Sequence, residues 1–227
     1  MTDPTGRTVL IAGATSASGL AAARALTSAG ARVVATGRSA EKLAPLAALG
    51  ALTETVDLAD ERAVLALARR LHDRGSSIDG LLHLVGGWRG GGGIAGQTEE
   101  DYRALETSFT ALRHVSRAFD DDLRTSPAGR LAIVSSTAVD RPLAGGANYA
   151  AVKAASEAWT RAVAQGYAKA AREAGEPLRA AAVIFRVRAL AGLEDRLAAA
   201  YAGLWGAEAA ELNGSTVDIQ EKKRGPE

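Results

Sequence analysis

The chain of 227 residues contains no cysteine. That absence removes disulfides, thiolate zinc sites and cysteine nucleophiles together, so any chemistry must use oxygen and nitrogen groups. Histidine is scarce as well. His72, His83 and His114 are too scattered to form a ligand cluster, and no metal site is expected. Net charge is nearly absent, with 27 basic residues against 26 acidic ones and no basic block longer than Lys222-Lys223-Arg224. The electrostatic footprint of a nucleic-acid binder is therefore missing, and a small molecule is the expected partner. No apolar run is long enough to span a bilayer, and Met1 to Arg7 lack the layout of a signal peptide. No membrane partner is expected, and a cytoplasmic location is. Missing too are a Pro- or Ser-rich linker and a repeat of solenoid length, so residues 1–227 are expected to form a single domain.

What is present is hydrophobic content of 47%, enough for a full core. Arginine heavily outnumbers lysine and alanine is abundant, the codon usage of a GC-rich bacterial genome. Short apolar or β-branched runs alternate with long Ala- and Leu-rich amphipathic stretches, the pattern of βαβ units feeding a parallel sheet. Seven strands are expected: Thr8–Ala12, Arg32–Thr36, Leu52–Val56, Gly80–Val85, Arg130–Ser135, Arg179–Val187 and Ser215–Ile219. Helices are expected near Gly19–Ala29, Ala40–Leu49, Glu61–Arg74, Glu99–Arg124, Tyr149–Ala174 and Leu193–Trp205. Two starts are well marked, by Thr98-Glu99-Glu100-Asp101 and by Asp60-Glu61. The fold class is thus α/β, a Rossmann-type doubly wound parallel sheet with helices on both faces. The run Gly86-Gly87-Trp88-Arg89-Gly90-Gly91-Gly92-Gly93 reads either as a flap beside a binding crevice or as a flexible connection. The tail Gln220–Glu227 is polar and expected to be solvated.

The first strand runs directly into Gly13-Ala14-Thr15-Ser16-Ala17-Ser18-Gly19 and then a helix. In that context glycines let the backbone approach a pyrophosphate while the helix N-terminus offers unpaired N–H groups; a plain strand-to-helix turn is the alternative. The second strand ends Thr36-Gly37-Arg38-Ser39, without the carboxylate expected to bind an adenine ribose in an NAD-preferring protein. Arg38 can hold a 2′-phosphate bidentately and Ser39 can add a hydroxyl, which favours NADP(H), although Arg38 also fits a plain surface role. Further along, Tyr149 and Lys153 stand four apart on one expected helix. A lysine ammonium beside a phenol favours the phenolate and lowers its pKa toward the working pH. Ser136 lies at the end of the fifth strand, where parallel sheets place their ligand crevice.

The constellation of a strand ending in Ser135-Ser136 and a downstream Tyr149-Ala150-Ala151-Val152-Lys153 closely resembles the active site of the short-chain dehydrogenase/reductase family. The resemblance runs from about Thr8 to Ala174. It implies hydride transfer between NADP(H) and a carbonyl or secondary alcohol, with Tyr149 as general acid or base. Lys153 would tune Tyr149 and bind the nicotinamide ribose, and Ser136, with Ser135 as its neighbouring alternative, would hold the substrate oxygen. Ser108 stands where the family has an asparagine that helps organise a water relay to the lysine. Gly13, Thr15, Ser16, Ala17, Ser18 and Gly19 resemble the family's Thr-Gly-x-x-x-Gly-x-Gly cofactor turn, with alanine at positions 12 and 17. Asp57-Leu58 matches an adenine-contacting pair, and Val85-Gly86-Gly87 the glycine side of an Asn-Asn-Ala-Gly segment whose first position is His83. Departures are concentrated after the sixth strand. In Phe185-Arg186-Val187-Arg188-Ala189-Leu190, where the family has Pro-Gly followed by a threonine, neither is present, and the lid insertion is very short, so an open cleft is expected. Arg186 and Arg188 either bind an acidic substrate group or the cofactor phosphates, or face solvent or a partner subunit. Asn148 is either functional or a helix cap.

The resemblance also implies a homotetramer or homodimer built on the helices Glu99–Arg124 and Tyr149–Ala174. Alanines 150, 154 and 158 would allow close helix approach, between subunits or within one. The competing reading is an NADP(H)-binding protein with little redox activity, a sensor or assembly partner. A nucleotide-sugar epimerase needs a sizeable C-terminal domain for which the stretch after Lys153 leaves no room.

Overall fold

A computed structural model describes residues 3–220. Seven strands form one fully parallel sheet: β1 (Thr8–Ala12), β2 (Arg32–Gly37), β3 (Leu52–Thr55), β4 (Gly80–His83), β5 (Arg130–Ser136), β6 (Ala181–Val187) and β7 (Thr216–Asp218). Their spatial order is β3-β2-β1-β4-β5-β6-β7. The chain starts in the middle, winds outward to β3, then crosses back to lay β4 against the other side of β1. The crevice between the C-terminal ends of β1 and β4 is therefore the topological switch point, where such sheets bind ligands.

Buried on both faces, the central strands are continuous apolar runs, and their alternating side chains feed two separate cores. Val9 and Ile11 point to one core with α1 (Ala17–Ser28), α2 (Ala40–Ala47) and α7 (Glu194–Ala202). Leu10 and Ala12 point to the other, with α3 (Glu61–Asp73), α4 (Glu99–Ala118) and α6 (Ala147–Ala174). In α3 the apolar residues Val64, Leu67, Ala68 and Leu71 recur at helical spacing and all are buried, while Asp60 caps its start by accepting from the backbone N–H of Arg62 and Ala63. Thr98 caps α4 in the same way, accepting from Asp101 N.

Most strand and helix limits fall within two residues of those expected from the sequence. The helix expected over Leu193–Trp205 ends at Ala202 and continues as a 3-10 turn over Gly203–Gly206, and three other differences have local causes. The helix expected over Glu99–Arg124 breaks at Phe119 into α4 and α5 (Asp120–Thr125). Phe119 turns fully inward, and the Asp122 carboxylate is drawn under β4 to accept from His72 Nε2 at 2.9 Å and from Ile78 N at 2.9 Å. β6 starts at Ala181 instead of Arg179, whose carbonyl is taken by the Arg130 guanidinium at 2.9 Å. α6 starts at Ala147, so Asn148 lies inside its first turn and does not cap it. Asn148 Nδ2 instead donates to Thr98 O at 3.2 Å, tying the start of α6 to the start of α4. Ala150 is buried, whereas Ala154 and Ala158 are exposed. Among the described residues no helix is long and apolar enough to cross a membrane. Gln220 is exposed; the rest of the polar tail, from residue 221 onward, lies outside the described residues.

Candidate active site

The switch point is built on two glycines. Gly13 ends β1 with φ +83°, and a Cβ there would stand 2.9 Å from Val85 N, so the turns after β1 and β4 touch through bare backbone. Gly19 packs the start of α1 so tightly on the turn that a Cβ would overlap Ala14 O. Ser16 caps α1, its Oγ accepting from Gly19 N at 3.1 Å, and Ser18 is buried against the crevice. Thr15 and Ala17 are exposed at the mouth of the same turn. Ala17 is the first residue of α1 and no non-glycine residue in the described chain has a positive φ, so its methyl group is accommodated without strain.

From this turn a cleft of about 980 Å³ extends over the C-terminal ends of β4, β5 and β6. It gathers Ser16, Ser18, Val85, Gly86 and Gly87 on one side with Ser136, Tyr149 and Lys153 on the other. Arg38, Ser39, Asp57 and Leu58 do not line it. They lie beyond it, at the ends of β2 and β3, connected through Thr15, whose methyl would be 2.6 Å from a Cβ on Gly37. Arg38 is exposed and makes no hydrogen bond or ion pair with another described residue. Ser39 caps α2 by accepting from Lys42 N at 3.3 Å, which leaves its hydroxyl proton free to donate. Asp57 is held in a turn by Ala59 N at 3.0 Å, and Leu58 is buried.

Strand alternation separates the two serines at the end of β5. Ser135 is fully buried and donates to Glu157 Oε1 at 2.7 Å, whereas Ser136 lines the cleft. Tyr149 and Lys153 reach the same space from the first turns of α6. Lys153 Nζ donates to Val134 O at 2.7 Å, which straps α6 to β5, and sits 5.7 Å from the centre of the Tyr149 ring. Burial pushes the Tyr149 phenol above its ordinary value, and the Ser136 hydroxyl pulls it partly back. The expectation that Lys153 lowers this pKa is not met in the protein alone: desolvation raises it, and the influence that opposes the rise is the Ser136 hydroxyl. Burial also lowers the Lys153 ammonium to about 8, against an opposing influence of Glu157.

Ser108 does not reach the cleft. It is buried in α4, its Oγ donates to Leu105 O at 2.7 Å and its carbonyl accepts from His83 Nε2 at 3.1 Å. The sequence singled out Ser108 but not His83, which lines the cleft at the end of β4. Burial, reinforced by the nearby charge of Lys153, holds the His83 imidazole at about 3, so it is neutral at physiological pH. With Nε2 donating, Nδ1 is an acceptor; it is buried and has no partner among the described residues.

The glycine-rich loop is a wall of the cleft. Gln97 Nε2 donates to Gly91 O at 3.0 Å, Gly93 O at 3.1 Å and Gly145 O at 3.1 Å, and Gly91 N donates to Gly145 O at 2.7 Å. Those bonds stitch the loop to the segment before α6. Gly91, Gly92 and Gly93 all have positive φ, and a Cβ on Gly90 would overlap Gly145 O, which explains why the run is glycine. Arg186 takes neither role expected from the sequence. Its Nε and Nη2 grip both oxygens of Glu157 at 2.8 and 2.7 Å, and its Nη1 bonds Asp140 at 2.6 Å. Arg188, just past the strand, is exposed and lines the cleft.

A glycine-built switch point thus opens into a cleft with Ser136, Tyr149 and Lys153 at its far end, the architecture of a doubly wound α/β protein with its ligand crevice at the switch point. The chain belongs to the short chain dehydrogenase family, a family of oxidoreductases that bind a nicotinamide cofactor: its family model matches residues 7–171. Among similar proteins is a candidate ketoacyl reductase of the monensin polyketide synthase from Streptomyces virginiae, 31% identical over 173 residues, which are 72% of this chain and 66% of that one. Another is a candidate daunorubicin C-13 ketoreductase, DnrU, from Streptomyces sp. strain C5, 44% identical over 89 residues. That match covers 36% of this chain and 31% of the relative, so the chain spans less than two thirds of the curated relatives it matches. A candidate short chain dehydrogenase from Shigella flexneri 2a strain 301, solved in complex with NADP, superposes with a TM-score of 0.83 at 22% identity, covering 97% of this chain and all of that one. At that identity the likeness is one of fold.

Proposed function

We propose that the protein is an NADP(H)-dependent oxidoreductase that interconverts a carbonyl compound and a secondary alcohol, with Tyr149 as general acid or base, Lys153 and Ser136 at its side. The observation that carries this reading is the convergence of Ser136, Tyr149 and Lys153 on one cleft that begins at the Gly13 turn. The residues present fit a dinucleotide: the Gly13–Gly19 turn leaves room only for backbone at the switch point, and the start of α1 offers free N–H groups to a pyrophosphate. Bound there, the nicotinamide supplies or takes the hydride. The protein's own part is proton handling. Ser136 donates to the substrate oxygen and orients it, and Tyr149 transfers the phenolic proton to that oxygen as negative charge develops on it. Lys153 holds a positive charge beside the phenol. His83, neutral and buried, contributes an acceptor and no charge.

A pH dependence is expected from the two perturbed groups. Tyr149, raised by burial, stays protonated through the neutral range and is ready as an acid for carbonyl reduction. Lys153 is an ammonium below about 8 and an amine above it. Reduction is therefore expected to be level through neutral pH and to fall on the alkaline side of about 8, with no limb attributable to His83. A pH profile of kcat/KM for reduction checks this, and a rate that rises through the same range would contradict the assignment.

Cofactor choice rests on Arg38, free of any partner among the described residues, and on the absence of a carboxylate at the end of β2. A contact from this exposed guanidinium to the 2′-phosphate is worth up to about 1 kcal/mol, or roughly fivefold in affinity. NADPH is expected to bind that much more tightly than NADH, and Arg38→Asp to reverse the preference. Fluorescence titration of both nucleotides against both proteins tests it. Equal affinities in the unmodified protein would refute the cofactor reading.

A further inference from the structure

The cleft divides along the sheet order. Its nucleotide side lies at the ends of β1 and β4, and its other side is formed by the segments that leave β5 and β6. On that second side Ser136 pairs directly with Val187 across the ladder, so Arg188 is the first residue beyond the pair. Arg141 stands in the connection between β5 and α6, and it too lines the cleft. Both guanidinium side chains belong to exposed residues, and neither makes a hydrogen bond or ion pair with another described residue. Arg38, the candidate for the adenosine phosphate, directly follows β2 at the opposite half of the sheet.

The walls between these arginines are apolar and held in place. Trp88 is 66% exposed and Leu143 77% exposed, both facing the cleft, and their segments are stitched together by Gln97. Among the described residues that line the cleft there is no aspartate or glutamate. The acid closest to Arg141 in sequence, Asp140, is occupied by Arg186. The cleft therefore has a positive potential with no internal counter-charge, which attracts anions and discriminates against cations. A purely neutral substrate would use the Trp88 and Leu143 surface and leave both guanidinium groups idle.

We infer that the substrate of this cleft is an apolar carbonyl compound, or the matching alcohol, that also carries an anionic group, held by Arg141 and Arg188 while Trp88 and Leu143 cover its apolar part. The inference rests on the carbonyl reductase reading of the same cleft. Each exposed arginine–anion contact is worth under about 1 kcal/mol, so the pair together favours the anion by roughly tenfold.

The test uses the full chain saturated with NADP and isothermal titration with a series of aryl, cycloalkyl and alkyl keto acids, each against its methyl ester. Acids of at least one skeleton are expected to bind about tenfold more tightly than their esters. That difference should shrink in Arg141→Ala and in Arg188→Ala and vanish in the double variant. Both positions are exposed, so the variants are expected to fold. Equal binding of acids and esters overturns the inference, as does failure of every acid to bind, or a preference that survives in the double variant. Weaker NADPH binding in Arg188→Ala, with the acid preference retained, would assign that arginine to the cofactor and overturn it as well. Failure of the underlying reductase reading is seen separately, as absence of NADPH binding to the unmodified protein before any acid is added.

Discussion

Replacing Tyr149 with phenylalanine is expected to lower turnover by about 10²–10⁴-fold while leaving NADPH affinity unchanged, the range by which a positioned general acid accelerates proton transfer. The substitution removes one oxygen and keeps the ring, including its contact with the Lys153 ammonium at 5.7 Å. Lys153 retains its anchor on Val134 O at 2.7 Å, so the α6 to β5 strap is undisturbed. What disappears is the acidic proton facing the substrate oxygen. Ser136 can still orient that oxygen, but its hydroxyl is far too weak an acid to replace the phenol. Measuring kcat, KM and the NADPH dissociation constant for the variant separates these effects. Undiminished kcat would remove Tyr149 from the chemistry. Should the unmodified protein bind NADPH tightly and turn over no carbonyl at all, the non-redox binding reading would take over.

Much of this arrangement was legible in the chain. The alternation of apolar runs and amphipathic stretches carries the parallel sheet, because strands buried on both faces must be continuously apolar and the helices between them one-sided. The turn after β1 and the pair Tyr149 and Lys153 were legible because their spacing is local. What the sequence could not reveal are the contacts made across many residues. His83 enters the cleft through the register of β4, and Arg141 and Leu143 through the path of the β5–α6 connection. The break at Phe119 arises from the burial of that side chain and the reach of Asp122 to His72, 50 residues away. The two readings of the glycine run were separated only by Gln97, whose amide bonds bring residues 91 and 145 together. For Asn148 the sequence offered a cap or a functional residue. The structure assigns it a third task, a hydrogen bond to the start of α4.

Arg186, within β6, carries the clearest consequence of such long-range pairing. Glu157 is fully buried one helical turn beyond Lys153, and its carboxylate accepts from Ser135 at 2.7 Å, from Arg186 at 2.8 and 2.7 Å and from Arg161 at 2.8 Å. Burial alone would raise its pKa, but the hydrogen bonds from Arg186, Ser135 and Arg161 prevail and hold the carboxyl below its ordinary value. The cluster joins α6 to β5 and β6 directly behind Ser136 and Lys153. Glu157→Ala is expected to destabilise the fold by about 3–5 kcal/mol, because it leaves the largely buried Arg186 guanidinium with the exposed Asp140 as its one remaining carboxylate and Ser135 without an acceptor. For a chain of this size that corresponds to a fall in Tm of roughly 6–20 °C. Replacing the pair together, by Glu157→Leu with Arg186→Met, is expected to recover most of the loss, since two neutral side chains leave no unpaired charge in the interior. The stabilisation has the sign of a depressed carboxyl: it is present at neutral pH and above the ordinary carboxylate value, and is lost as pH falls through the lower folded-state value. Thermal unfolding of the single and double variants at neutral and acidic pH measures both effects, and a Glu157→Ala protein as stable as the original at neutral pH would show that the cluster holds nothing in place.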